Sequence, residues 1–141
     1  MTKVKSVSIL LGCVGMLLSA ESMAQPTIGG GYLKNAFGSD TKMLIEGFAI
    51  SVTGGQPAVC VNANKKSIQP GQTYTLDFSQ CPSGSFPAWA SGYLTDGSKQ
   101  LTFSCSPVGP TAWTYQPGAS SKIVYTVSQE GGSAVCVGKV E

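Results

Sequence analysis

The chain has 141 residues and a formal net charge of +2, with nine lysines, seven acids, no arginine and no histidine. Without histidine there is no Ser-His-Asp or Cys-His arrangement, no ordinary general base near neutral pH and no imidazole metal ligand. Without arginine forks or a basic stripe, nucleic acid is not an expected partner, since Lys65 and Lys66 are the only adjacent cations beyond residue 24 and sit in a turn-like stretch.

The first residues read as a secretory signal. Lys3 and Lys5 supply the positive end, and Val7 to Leu18 form an apolar run too short to span a bilayer as a helix. Ser22-Met23-Ala24 has small residues at the first and third places, which puts the expected cut between Ala24 and Gln25. A competing motif, Leu10-Leu11-Gly12-Cys13, resembles a lipobox whose cysteine would carry a lipid anchor. Against it, Val14, Met16, Leu17 and Leu18 continue the apolar segment past that cut, so simple cleavage is the preferred reading. The expected localisation is secreted or periplasmic, in a bacterium, with no transmembrane span after residue 24.

Residues 25–41 are glycine-rich, with Gly29-Gly30-Gly31 ahead of Tyr32-Leu33, and read as a flexible lead-in to a single β domain over 42–141. From Lys42 the pattern becomes period two, with Phe48, Ile50 and Val52 on one face and Ala49, Ser51 and Thr53 on the other, as in a half-buried strand. Further strands are expected over Ala58 to Val61, Thr73 to Phe78, Trp89 to Thr95, Gln100 to Cys105, Lys122 to Ser128 and Ala134 to Val140. Asp96-Gly97 and Glu130-Gly131-Gly132 mark two hairpins. No segment beyond Gln25 holds a 3.6-residue apolar period. The expected fold is all-β, a small disulfide-stapled antiparallel sandwich or flattened barrel of about seven or eight strands.

Cys60, Cys81, Cys105 and Cys136 form an even set with no Cys-x-x-Cys, so two disulfides are expected rather than a redox or zinc site. A faint repeat favours pairing Cys60 with Cys81 and Cys105 with Cys136. Gln69-Pro70-Gly71 and Gln116-Pro117-Gly118 each open a strand that ends in Ser-Gln, and each unit is bracketed by two cysteines. The match of Ala58-Val59-Cys60-Val61 to Ala134-Val135-Cys136-Val137 cuts across that order, which leaves the connectivity open.

No catalytic, cofactor or metal residue announces itself. The six acids beyond residue 24 (Asp40, Glu46, Asp77, Asp96, Glu130 and Glu141) are scattered, and Asp96-Gly97-Ser98 reads as a turn. The candidate ligand-binding residues are aromatic. Trp89 and Trp113 each follow an alanine after a Pro/Gly/Ser loop, with Tyr93 and Tyr115 an even number of positions beyond them and so on the same strand face. Such a face could stack on sugar rings or grip a protein, although a small β core also needs large residues of this kind. The expected function is a non-catalytic exported module that binds a protein or glycan. A passive structural or self-assembling envelope protein and a histidine-free hydrolase are the alternatives.

Overall fold

The computed structural model describes residues 25–53 and 58–141. The expected signal segment, its cut and the Cys13 motif therefore lie outside the described residues.

Among the described residues all regular structure is β: ten strands, β1 (Thr27–Ile28), β2 (Gly31–Asn35), β3 (Leu44–Thr53), β4 (Val59–Asn62), β5 (Thr73–Leu76), β6 (Phe86–Thr95), β7 (Gln100–Ser106), β8 (Thr114–Tyr115), β9 (Ile123–Glu130) and β10 (Ser133–Val140). Eight of them form one nearly closed sheet in the order β4-β3-β6-β7-β10-β9-β2-β5, and β1 pairs with β8. The expected strands are all present, with ends shifted by a few residues. The purely antiparallel expectation is corrected, because β7–β10, β2–β9 and β1–β8 are parallel pairs. Among the described residues no helix is long and apolar enough to cross a membrane.

The two halves of the sheet face each other across an aromatic core. Phe48 of β3 packs 5.7 Å from Tyr125 of β9 and 6.2 Å from Phe103 of β7, measured between ring centres. Phe78 bridges onward to Trp113 at 5.8 Å and Tyr115 at 5.5 Å. Tyr125 and Trp113 are fully buried, and the Trp113 Nε1–H donates to the Tyr125 hydroxyl at 3.0 Å, so neither polar atom is stranded in the core.

The reading of residues 25–41 as a loose lead-in is corrected. β2 lies inside the sheet between β9 and β5, and Ile28, Leu33, Asn35 and Phe37 are buried. The glycines there serve close approach rather than mobility. A Cβ at Gly29 would lie 2.8 Å from the Ala119 nitrogen and nearer still to its carbonyl oxygen, and one at Gly31 would meet the Ile123 backbone. Buried Asn35 ties this segment to two loops, its Nδ2 donating to the carbonyls of Met43 and Ile68 at 2.9 Å each while its Oδ1 accepts from the Phe37 N–H. The β domain thus begins before residue 42.

The disulfides are Cys60–Cys81 and Cys105–Cys136. The first joins edge strand β4 to the segment after β5, the opposite edge of the open sheet. The second links neighbouring strands, because Cys105 and Cys136 are register partners on β7 and β10. Together they hold the seam and the corner of the barrel-like sheet.

Candidate functional site: an uncharged aromatic face on β6

The four candidate aromatics divide between core and surface. Trp113 and Tyr115 are buried in the cluster around Phe78, Trp89 is 44% exposed, and Tyr93 is half-buried. The structure therefore brings Trp89 and Tyr93 together on one face of β6 and removes Trp113 and Tyr115 from consideration as ligand contacts.

Trp89 owes its position to a bulge. Ser51 pairs with Trp89 but the next residue, Val52, pairs with Pro87, which leaves Ala88 as an extra residue on β6. Ala88 and Trp89 are both exposed, and inward packing resumes at buried Ala90. From Trp89 onward β6 alternates strictly: Ser91, Tyr93 and Thr95 point outward, while Ala90 and Leu94 are buried. A second irregularity on β3, between Ile45 and Gly47, lets Ile45 and Phe48 both face the core although three residues apart.

Tyr93 packs over a glycine. Its register partner on β3 is Gly47, where a Cβ would sit 2.7 Å from Tyr93 Cδ1 and closer still to Cε1. The ring thus occupies the space that any side chain at position 47 would need, while Tyr93 stays half-exposed.

The neighbours of these rings carry hydroxyls. Ser104 is opposite Ser91 and Thr102 opposite Tyr93 on β7, both exposed, and Ala49 and Ser51 lie opposite Ser91 and Trp89 on β3. Beside Tyr93 an open depression of about 540 Å³ is lined by Ser91, Gly92, Tyr93, Thr102, Phe103, Ser104 and Ala134. None of its lining residues is charged.

Among the described residues the other exposed large apolar residues are Val59, Val108 and Val137. Val59 pairs with Ser51, and Ser51 with Trp89, so Val59 stands level with Trp89 across β4, β3 and β6. Val137 pairs with Ser106 on β7, beyond the last residue pair that β6 and β7 share. The N–H of Gly109 donates to the Pro87 carbonyl at 2.8 Å, so the segment carrying Val108 runs alongside the start of β6. Ser51 is buried on the outer face between its two apolar neighbours. Sequence reasoning missed the alignment of Val59 with Trp89, since it joins distant segments and appears only through register.

The acids form no comparable site. Asp96 accepts from the N–H groups of Lys99 and Ser98 and from the Ser98 hydroxyl, bonds that lower its pKa to about 2 and fix the hairpin turn. Asp77 is lowered by the Ser79 hydroxyl and N–H in the same manner. Among the described residues no group of three or more histidines, cysteines or acids could hold a metal ion. No family model, curated protein or solved structure matches this chain.

Proposed function

We propose that the protein is an exported, non-catalytic interaction module whose contact surface is the outer face of β4, β3, β6 and β7, centred on Trp89. The observation that carries this reading is the 44% exposure of Trp89 in a protein that buries its other tryptophan completely. A bulge lifts Trp89 onto a strand, a rigid support that fixes a contact residue without an ordering cost. Covering the exposed part of the ring, roughly 100 Å², contributes about 2–3 kcal/mol, enough for one residue to anchor a contact. Two disulfides suit persistence in an oxidising compartment, in keeping with the signal-like N-terminus.

Acrylamide quenching tests whether this surface is open. The free monomer is expected to show one readily quenched emission component and one shielded component, and Trp89→Phe removes the quenched one. Emission shielded in full, in a protein that light scattering shows to be monomeric, would sink the reading.

A further inference from the structure

We propose that the occupant of this face is a neutral polysaccharide chain lying along β6, with one sugar ring on Trp89 and another on Tyr93. The proposal rests on the outer-face reading above and goes beyond it by naming the ligand class.

Two observations support it. First, the two rings stand on one strand face four residues apart, about 13 Å at the usual rise per residue. That separation places two contacts along one extended ligand rather than around one compact molecule. The Tyr93 ring occupies the space over Gly47, and the residue stays half-exposed for a ligand to meet.

Second, the side chains between and beside the rings are Ser91, its partner Ser104, and Thr102 opposite Tyr93. Hydroxyls donate and accept with the same atom, which matches the hydroxyl rim of a sugar. None of these flanking positions carries a charge that would complement a uronate, sulfate or phosphate group.

Affinity electrophoresis in native gels cast with soluble neutral polysaccharides (a β-glucan, a galactomannan, a xylan) and with anionic alginate tests this directly. The wild type is expected to be retarded in at least one neutral gel and to run unretarded in alginate. Trp89→Ala weakens that retardation about thirty-fold in apparent affinity, the scale of a hot-spot aromatic. Tyr93→Phe keeps the ring and changes it less than about three-fold, whereas Tyr93→Ala weakens it clearly. Absence of retardation in every neutral gel, or retardation indifferent to Trp89→Ala, overturns the proposal. The broader reading stands or falls separately. If neutral gels fail but Trp89→Ala abolishes self-association seen by light scattering, the face is a protein contact. If acrylamide finds Trp89 shielded in the monomer, both readings fall.

Discussion

Replacing Tyr125 by phenylalanine separates two contributions of one buried hydroxyl. In the wild type the hydroxyl accepts the Trp113 Nε1–H at 3.0 Å, and both residues are fully buried. Tyr125→Phe leaves the indole N–H without a partner in the core, a loss of about 1–3 kcal/mol at neutral pH. The second contribution depends on pH. Burial raises the Tyr125 pKa to about 12, the Trp113 bond offsetting part of that rise, while the unfolded chain titrates near the ordinary tyrosine value of 10.0. Below pH 10 both states hold the proton and the site has no pH dependence. Above it the unfolded state loses its proton first, so stability falls as pH rises from 10 towards 12. At about pH 11.5 the loss from this group is about 2 kcal/mol. Urea unfolding of both proteins at about pH 9 and about pH 11.5 reads the difference. Phenylalanine is expected to be less stable at the lower pH, with that gap closing by about 2 kcal/mol at the higher one. An equal gap at the two pH values would refute the assignment of a buried, neutral Tyr125.

Other substitutions address the remaining parts of the fold. Leu33→Ala in β2 is expected to cost about 2–5 kcal/mol in urea unfolding, as for a buried leucine, whereas a loose lead-in would show almost no change. Asn35→Ala removes two donated bonds and one accepted bond from a buried position, and a loss of at least about 2 kcal/mol in the same assay is expected. Removing the Cys60–Cys81 link by a double serine substitution is expected to cost about 3 kcal/mol and removing Cys105–Cys136 about 4, from the lengths of chain they enclose. A melting temperature unchanged in either variant would contradict those links. The intact mass of the protein recovered from its native cells is expected to match a chain beginning at Gln25 with no alkylatable thiol, and a lipid-bearing mass from Cys13 would overturn the cleavage reading.

The parts of the fold written in local periodicity were legible. Phe48, Ile50 and Val52 alternate on β3, and Asp96-Gly97 closes the β6–β7 hairpin. What escaped was set by contacts distant in sequence. Gly29-Gly30-Gly31 looks like slack chain, yet Gly29 and Gly31 are small because Ala119 and Ile123 press against them, and nothing local announces those partners. The parallel pairing of β2 with β9 likewise brings together segments some ninety residues apart. For the site, the sequence offered four aromatics in two similar contexts. Trp113 enters the core because Phe78 and Tyr125 wait there, whereas Trp89 leaves it because the Ala88 bulge turns it outward. The alignment of Val59 with Trp89 through Ser51 is invisible to any single strand and emerges only when the registers of β4, β3 and β6 are joined.

Hydroxyl-radical footprinting, read residue by residue by mass spectrometry, tests the central claim whatever the partner is. It compares the purified monomer with the same protein in place in the cells that produce it. The account predicts that Trp89 is oxidised readily in the monomer and strongly protected in place, with Trp113 protected in both. Equal oxidation of Trp89 in the two settings would contradict the claim that this face is where the protein makes its contact.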